Sequence, residues 1–240
     1  MEQGLPWQLL WRPVCASTEL ELDQWLARGL HPPLAVIARR QIRGHGQQGR
    51  VWHSPAGGVW LSAALPWGED GHGPRSGAGG FAAPALAVSL GLCLQLERLG
   101  LRPQIKWPND VLLHGRKLAG ILPRLRWRGE RLLGCRVGVG VNGVNRVPPG
   151  AIALVDGLAD RRLLPPARPH QLAALVLRGL EWAVAASSQA ELVRRQAEQR
   201  LWRADGYSHQ GETWQVAGLQ TDGSLRLNHG DRVVILRRHF

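Results

Sequence analysis

Short apolar runs alternate with tight-turn residues across residues 104–142, and this pattern constrains the fold more than any other feature of the chain. The runs QIKWPNDVLL, RKLAGILPRLRW and LLGCRVGVGVN are separated by a His114–Gly115 turn and by an RGE turn at 128–130. Strand-length apolar segments joined by such short turns are typical of antiparallel hairpins. This part of the chain is therefore predicted to form an antiparallel meander.

Further helices and strands are predicted on both sides of the meander. Apolar residues recur at helical spacing in several stretches, and two runs rich in apolar residues have the length of strands. The helices are predicted at 17–29, 81–99 and 169–186, with a further helical piece to about Trp202. The strands are predicted at 34–41 and 59–65, and a glycine-rich surface loop at 67–80. This order predicts an α+β fold, in which a mixed sheet is flanked by helices.

The pattern changes near the C-terminus to short strands. The runs TWQVAGL, SLRLN and RVVILRR are separated by the turn sequences TDG and NHGD. They predict a small antiparallel barrel of about 35 residues. We therefore expect a larger α+β domain over residues 1–202 and a small barrel domain over residues 203–240.

The charge of the chain fits an anionic ligand. Its 240 residues carry a formal net charge of +12. The arginines are spread along the chain, and no zinc-finger spacing, RNP-like motif or basic region with heptads occurs. Specific nucleic-acid binding is therefore not expected, whereas a solvated basic surface and an anionic small-molecule substrate both fit the charge.

Cysteine usage and the lack of long apolar runs indicate a cytoplasmic protein. Cys15, Cys93 and Cys135 are far apart and in no metal-binding spacing, so they are expected to be buried, reduced thiols. The first residues, MEQGLPWQLLWRP, lack a signal-peptide pattern. No run reaches the roughly 18 apolar residues that span a bilayer, so no membrane association is expected.

The distribution of lysine is unusual. Of the 30 basic residues, 28 are arginine, and the two lysines, Lys106 and Lys117, both lie in the stretch KWPNDVLLHGRKLAGIL. Guanidinium is a wide planar fork, whereas ammonium is a compact point charge on a flexible stem. Two lysines so close together in an arginine-rich chain indicate a tight pocket for phosphate or carboxylate oxygens, rather than a turn with two solvated lysines.

Three polar, glycine-rich segments interrupt the apolar periodicity. In RGHGQQGRVW the glycines can turn backbone N–H groups toward an anion, although the spacing is that of neither a P-loop nor GxGxxG and a mobile surface loop fits equally well. In the KWPND segment, Pro108 interrupts the strand, and Asn109 and Asp110 offer oxygen atoms suited to Mg²⁺ or to sugar hydroxyls. In GVGVNGVN, alternating glycines fit either a ligand lying against the strand or close sheet packing.

Together these segments resemble one family, the biotin–protein ligases, also called biotin–[acetyl-CoA carboxylase] ligases. The family's glycine-rich loop with a following tryptophan matches GHGQQGRVWHSPAGGVWLS. Its KWPND block with a downstream lysine motif matches KWPNDVLLHGRKLAGIL, and its G-[IV]-G-[IV]-N strand matches GVGVN. An early Ser-Thr-Asn motif matches ASTEL, with Glu19 in place of asparagine. The resemblance covers residues 15–145 strongly and the C-terminal barrel loosely.

The resemblance implies a class II synthetase-like catalytic domain, an SH3-like barrel and a reaction in two steps. The carboxylate of biotin attacks the α-phosphorus of ATP, bound with Mg²⁺, and gives biotinyl-5′-AMP and pyrophosphate. A lysine of the biotin carboxyl carrier protein of acetyl-CoA carboxylase then attacks this acyl-adenylate and releases AMP. No permanently bound cofactor is implied, because catalysis consists mainly of positioning and charge neutralisation.

The resemblance also implies roles for individual residues. Lys117 matches the catalytic lysine that contacts the biotin carboxylate and the α-phosphate. Further biotin-binding positions match Ser17, Thr18, Gln41, Gly44, His45, Gly46, Gln47 and Gly120. Positions around ATP or the adenylate match Arg50, Trp52, Lys106, Asn109, Asp110 and Asn142. Asp110 is also the predicted contact for Mg²⁺, through the nucleotide, and residues 44–50 match the loop that closes over the adenylate.

The chain departs from the family pattern in two places. His45, Gln47 and Gln48 stand where the family loop often has arginines, and the arginine at the place of Gln47 helps relatives to retain the adenylate. Weaker retention and more promiscuous labelling are therefore expected here. Glu19, in place of asparagine, leaves the corresponding contact with biotin open.

Several alternatives remain at the level of sequence. A lipoate or other acyl-protein ligase shares the fold and the acyl-adenylate chemistry, and a non-enzymatic basic binding module would share the charge. Because the Ser-Thr motif begins at residue 17, a monofunctional ligase without an N-terminal DNA-binding domain is expected. Both a monomer and a homodimer are compatible with the sequence.

Overall fold

The computed structural model describes residues 4–67, 82–128, 131–158, 165–203 and 206–237. The predicted glycine-rich loop, from residue 68 onward, and the last two residues of the predicted RGE turn lie outside these ranges. The helices are α1 (Thr18–Ala27), α2 (Pro84–Glu97), α3 (Leu154–Gly157), α4 (Pro169–Ala185) and α5 (Ala190–Gln199). The predicted helices at 17–29, 81–99, 169–186 and up to Trp202 correspond to α1, α2, α4 and α5.

Seven strands form one mixed sheet in the order β1-β2-β3-β7-β6-β5-β4. Their bounds are β1 (Gln8–Arg12), β2 (Leu34–Ala38), β3 (Val59–Leu65), β4 (Gln104–Lys106), β5 (Asp110–Leu113), β6 (Arg116–Arg128) and β7 (Arg131–Val141). Strands β4 to β7 pair antiparallel with their chain neighbours, so the predicted meander is confirmed. Strand β1 was not predicted, and it pairs parallel to β2 at the edge of the sheet.

The two faces of this sheet are buried by different helices. Leu34, Val36 and Ala64 pack with Leu22 of α1 in a small apolar cluster on one face. The residues that alternate with them, including Ala35 and Ile37, belong to the main core together with α2, α4 and α5. Strand β2 therefore reads as a continuous apolar run because both of its faces are covered.

Strand β2 ends three residues earlier than predicted. The backbone amide of Arg39 still donates to the carbonyl of Arg12, but Gln41 has already turned toward Ser54, whose carbonyl accepts from the Gln41 amide at 3.1 Å. The chain therefore leaves the sheet after Ala38. This early exit brings the Gln41 side chain close to the start of α1.

The His114–Gly115 turn has the backbone of a tight hairpin. Both residues have positive φ, 51° and 69°, which is the conformation of a two-residue turn whose twist matches that of its strands. Strand β6 is thereby folded directly back onto β5. The turn places Lys117 opposite Leu112, and its side chain reaches Asp110 at the beginning of β5.

A second, four-stranded antiparallel sheet follows near the C-terminus. It has the order β11-β10-β9-β8, with β8 (Tyr207–His209), β9 (Glu212–Leu219), β10 (Leu225–His229) and β11 (Arg232–Leu236). Three of these strands were predicted, and β8 was not. Trp107 Nε1 donates to the carbonyl of Gly223 at 2.9 Å, which joins the two sheets. None of the helices in the described ranges is long and apolar enough to cross a lipid bilayer.

Candidate active site

A cavity of about 850 Å³ lies on the α1 side of the seven-stranded sheet. Its walls include the first turn of α1, the loop after β2 and the turn between β4 and β5. Of the predicted site residues, all except Gly44 line it: Ser17, Thr18, Gln41, His45, Gly46, Gln47, Arg50, Trp52, Lys106, Asn109, Asp110, Lys117, Gly120 and Asn142. The structure thus brings together residues that are up to 125 positions apart in the chain.

One end of the cavity is an uncharged hydrogen-bonded cluster. Gln41 Oε1 accepts from both the amide and the hydroxyl of Thr18, at 2.8 and 3.0 Å. Because the Thr18 hydroxyl donates to Gln41, the Ser62 hydroxyl, 2.8 Å away, must donate to Thr18. Gln41 Nε2 donates to Ser54 Oγ at 2.9 Å. These polar side chains, buried or half-buried, hold one another in fixed orientations.

Ser17 has a structural role at this end of the cavity. It is the N-cap of α1, and its side chain accepts from the amide of Glu19. Ser and Thr are favoured at this position because the hydroxyl satisfies a backbone N–H of the first turn. The cap orients the first turn of α1 toward the cavity.

The loop at 44–50 is an ordered hairpin whose base is held by backbone bonds. The amide of Gly46 donates to the carbonyl of Arg50 at 2.8 Å, and the amide of Trp52 donates to the carbonyl of Gly44 at 2.9 Å. Gly44 lies behind the cavity wall, where a Cβ atom would be 2.5 Å from Ser54 Oγ. Glycine at position 44 is thus explained by close packing, and the predicted direct contact of Gly44 with biotin stays a prediction.

Trp52 lies on the glycine floor of the cavity. A methyl group added at Gly140 would be 2.5 Å from Trp52 Nε1, and one at Gly120 would be 2.9 Å from a carbon of the same ring. Gly120 and Gly140 are direct neighbours in adjacent strands. The alternating valines of β7 point to the other face and lie in the main core. Close packing against Trp52 therefore accounts for Gly140, and a ligand lying against this strand stays a prediction.

Lys117 sits between a carboxylate and an aromatic ring. Its Nζ is 2.6 Å from Asp110 Oδ1 and 4.9 Å from the centroid of the Trp52 ring. The side chains of Lys117 and Asp110 are 35% and 19% exposed. The backbone of Lys117 is fixed by bonds to Gly150 and Ile152, both at 3.0 Å. The ammonium is thus positioned inside the cavity with its charge compensated.

Lys106 and Asn109, which are also predicted to lie near the nucleotide, are each held by a different contact. Lys106 places its Nζ 5.1 Å from the centroid of the Trp202 ring, a cation–π contact. Asn109 is anchored to β6, because its Nδ2 donates to the carbonyl of Ile121 at 2.7 Å and its own carbonyl accepts from the Ile121 amide. The side-chain nitrogen of Asn109 therefore anchors the residue to β6, and its side-chain oxygen is left for a ligand.

Asn142 ends β7 inside a network with Asn145. Asn145 Nδ2 donates to Asn142 Oδ1 at 3.1 Å, while Asn145 Oδ1 accepts from the amide of Gly143 at 3.0 Å. Both asparagines are buried. Asn142 Oδ1 is thus used within the protein, and the contact of Asn142 with the nucleotide stays a prediction.

Asp110 is the carboxylate predicted to approach Mg²⁺ through the nucleotide. Carboxylate oxygen is the kind of ligand that Mg²⁺ prefers, but a magnesium site usually relies on few protein ligands together with phosphates and water. Among the described residues, no group of three or more His, Cys, Asp or Glu side chains could hold a metal ion. The donor set at Asp110 fits a cation carried by nucleotide phosphates.

Four residues of the site were missed by sequence reasoning. Ser54, Ser62 and Asn145 hold the polar network, and Tyr207 of β8 reaches the cavity from the C-terminal sheet. Ser62 carried a detectable signal, because it is a hydroxyl inside an otherwise apolar strand. Tyr207 carried none, since its position depends on how the two sheets pack.

Comparison with known families and proteins shows what the chain is similar to. The model of the biotin/lipoate A/B protein ligase family matches residues 11–142. The chain is 38% identical over 133 residues to a biotin–[acetyl-CoA-carboxylase] ligase of Paracoccus denitrificans, a match that covers 53% of this chain and 51% of the relative. It is 33% identical over 142 residues to the bifunctional ligase/repressor BirA of Bacillus subtilis, covering 58% of this chain and 41% of BirA. The chain thus spans about half the length, or less, of these curated relatives.

A solved structure shares the whole fold. The biotin protein ligase of Aquifex aeolicus, in complex with biotin and ATP, superposes with a TM-score of 0.73 at 20% identity, and the match covers 95% of each chain. The predicted mixed sheet flanked by helices is therefore confirmed. The C-terminal four-stranded sheet is consistent with the predicted SH3-like barrel.

Proposed function

This chain belongs to the biotin/lipoate A/B protein ligase family, and on that premise we propose that it is a biotin–protein ligase. It activates biotin as biotinyl-5′-AMP at the expense of ATP. It then transfers biotin to a lysine of a biotin carboxyl carrier protein, the carrier of acetyl-CoA carboxylase. The named activity of the relative from Paracoccus denitrificans supports this assignment.

The hydrogen-bonded end of the cavity favours biotin over lipoate. The ureido ring of biotin has two N–H donors and one carbonyl acceptor, whereas the dithiolane ring of lipoate has no comparable groups. The cluster of Ser17, Thr18, Gln41 and Ser62 is buried or half-buried. These groups bond one another, but the hydroxyl hydrogen of Ser17 and the second N–H of Gln41 Nε2 are still able to donate. An apolar ring would leave these donors unused, and a site of this kind rejects ligands that cannot hydrogen-bond. This cluster is the observation on which the choice of substrate rests.

The first step joins two anions, so it needs a positioned cation. A carboxylate oxygen of biotin forms a bond to the α-phosphorus, and the bond from that phosphorus to the bridging oxygen of pyrophosphate breaks. Lys117 neutralises the carboxylate and the α-phosphate as charge shifts between them. Asp110 holds the ammonium in place, 2.6 Å away, so that its charge is oriented before the substrates arrive. Magnesium accompanies the triphosphate as part of the substrate.

The second step needs the acyl-adenylate to survive until the carrier protein arrives. The nitrogen of the carrier lysine attacks the acyl carbon, the bond from that carbon to the AMP oxygen breaks, and the nitrogen loses a proton. The hairpin at 44–50 lines the cavity through His45, Gly46, Gln47 and Arg50. It limits the access of water to the mixed anhydride.

Biotin-dependent exchange of labelled pyrophosphate into ATP tests this function. We expect exchange with biotin, little with lipoate or octanoate, and subsequent transfer of biotin to a carrier domain. Exchange with lipoate but not with biotin would identify a lipoate ligase. No exchange with any of these acids would leave a non-enzymatic binding module as the better account.

A further inference from the structure

Three elements of the cavity wall meet at the carboxylate of Glu19. Glu19 Oε2 is 2.7 Å from Nε2 of His45, in the hairpin at 44–50. Glu19 Oε1 forms an ion pair with Nε of Arg124, on β6. We call Glu19, His45 and Arg124 the Glu19 bracket. Arg124 Nη2 also lies 3.4 Å from His45 Nε2. Because an ionised carboxylate only accepts hydrogen bonds, we assign the proton to His45 Nε2, which donates to Glu19 and leaves the longer contact with Arg124 without a hydrogen bond.

The bracket differs from the neighbouring ion pairs of the same helix. Asp23, one turn further along α1, pairs with Arg136 of β7, and Arg136 lies directly opposite Arg124 in the sheet. Neither member of that pair lines the cavity, whereas Glu19 and His45 both do. The Glu19 side chain is 17% exposed and that of Asp23 46%. Both carboxylates form ion pairs between α1 and the sheet, but only Glu19 lines the cavity.

A carboxylate in the wall of this cavity is unfavourable for anionic ligands unless it is neutralised. Arg124 supplies the compensating charge from outside the lining, since it does not itself face the cavity. Glu19 is thus not suited to hold a carboxylate or phosphate. Its oxygens are occupied by the hairpin on one side and by β6 on the other.

The bracket acts on the whole hairpin because the hairpin is held by its own backbone. His45 forms an antiparallel bridge with Val51, and the amide of Gly46 donates to the carbonyl of Arg50. A side chain that fixes His45 therefore fixes Arg50 as well. The tip has no such anchor among the described contacts, and Gln48 there is exposed.

We propose that Glu19 is a positioning residue that, together with Arg124, holds the hairpin at 44–50 over the cavity and so slows the release of the acyl-adenylate. This inference rests on the proposed function. It assigns a role to the glutamate that stands in place of the family's asparagine. It also supplies a means of retention in a loop that has no arginine at positions 45, 47 and 48.

The test measures how fast preformed, labelled biotinyl-adenylate leaves the enzyme during a chase with excess unlabelled compound. Glu19→Gln and Arg124→Met are each expected to accelerate release about fivefold, the loss that a half-exposed ion pair explains. The double variant is expected to be no faster than either single variant, because both remove the same link. His45→Ala should also accelerate release, whereas His45→Arg should restore retention by pairing with Glu19.

Asp23→Asn is the matched control, because it removes the neighbouring ion pair without touching the cavity. Its release rate is expected to equal that of the wild type. Unchanged release in Glu19→Gln and Arg124→Met, or equal acceleration in Asp23→Asn, would overturn the inference. If the wild type formed no adenylate, the proposed function would fail instead. The role of the bracket in holding the hairpin would then be tested by hydrogen exchange at the backbone amides of Gly46 and Trp52. Glu19→Gln is expected to accelerate this exchange, and an unchanged exchange rate would contradict that role.

Discussion

At the scale of single residues, Lys117 shows why an arginine-rich chain uses lysine here. The ammonium lies between Asp110 and the ring of Trp52, 2.6 Å from the carboxylate oxygen. The planar guanidinium group is wider and would have to displace one of these neighbours. Lys106 is different, since it is exposed and stacks on Trp202, a contact that arginine can also make.

Lys117→Arg is therefore expected to lower the turnover number of biotin-dependent pyrophosphate exchange by about 10²–10³, the effect of losing one placed charge-stabilising group. Lys106→Arg is the control, and we expect its rate to stay within about threefold of the wild type, because arginine stacks on tryptophan at least as well as lysine does. Steady-state exchange kinetics measure both. Near wild-type turnover in Lys117→Arg would contradict the fit described here.

The three cysteines are buried and unpaired. Burial, with the nearby Glu21 carboxylate as a smaller cause, raises the pKa of Cys15 to about 11. Burial raises the pKa of Cys135 to about 12 and that of Cys93 further still. All three thiols therefore stay protonated at neutral pH, which agrees with the structural role expected of them.

Native protein at pH 8 is expected to react with a disulfide reagent at least about 100-fold more slowly than protein unfolded in guanidinium, because the thiolate is the reactive form. The free energy of unfolding should also fall as the pH rises. The fall begins at about pH 9, where the thiols of the unfolded chain ionise, and continues to pH 11–12, where Cys15 and Cys135 ionise in the folded state. Spectrophotometric thiol titration and denaturant unfolding at each pH measure these effects. Rapid labelling of any native thiol would contradict this account of their burial.

At the scale of elements, β7 divides the sheet between cavity and core. Gly138 and Gly140 face the cavity, while Val137, Val139 and Val141 are buried on the other side. The two glycines are not equivalent. An added Cβ at Gly140 would meet Trp52 at 2.5 Å, whereas at Gly138 its nearest neighbour, Leu122 Cβ, would be at an ordinary 3.5 Å.

Gly140→Ala is expected to destabilise the protein by about 1–3 kcal/mol, as overpacking does, because Trp52 would have to move. Gly138→Ala, two residues away in the same strand, should stay within about 0.5 kcal/mol of the wild type, as substitutions without a specific clash usually do. Denaturant unfolding followed by tryptophan fluorescence measures both. Equal effects of the two substitutions would show that Trp52 does not pack as described.

Much of the element order could be predicted, because its signals are local. Strand β3 has the predicted bounds of 59–65. The start of α1 offers two capping residues, Ser17 and Thr18, and the structure uses Ser17. Strand β1 escaped prediction, since a short edge strand becomes recognisable only from its parallel partner β2. Ser17 and Thr18 lie in the local ASTEL motif, whereas Gln41 was predicted only through the family resemblance. Tyr207 reaches the cavity through the packing of the two sheets, and Arg124 reaches Glu19 from outside the cavity lining through strand register. Neither effect leaves a mark in the nearby sequence.

At the scale of the whole molecule, the core continues from one sheet into the other. Trp214, Leu219, Leu225 and Leu227 of the C-terminal sheet belong to the same buried cluster as the strands around the meander. The bond from Trp107 Nε1 to Gly223 lies beside this contact. We propose that residues 1–202 and 203–240 are two domains that share this core.

A shared core predicts a single cooperative unfolding transition in calorimetry. Leu227→Ala, at a fully buried position, is expected to lower the stability of the whole protein by about 2–5 kcal/mol. Val233→Ala on β11, where the side chain is 58% exposed, should change it by less than about 0.5 kcal/mol. Two separate transitions, with only the smaller one shifted by Leu227→Ala, would show that the C-terminal sheet unfolds independently.

The scarcity of lysine has a practical consequence for the chemistry proposed here. A biotinyl-adenylate that escapes into solution acylates whichever exposed amines it meets, and most proteins offer many. This chain has two lysine side chains, one of them ion-paired inside the cavity and the other, Lys106, on its exposed rim. Among the side chains of the enzyme, self-labelling should therefore concentrate on Lys106, with the terminal α-amine as the other reactive amine, and leave the arginine side chains unmodified. The arginines carry the positive charge without offering the escaped intermediate a nucleophile.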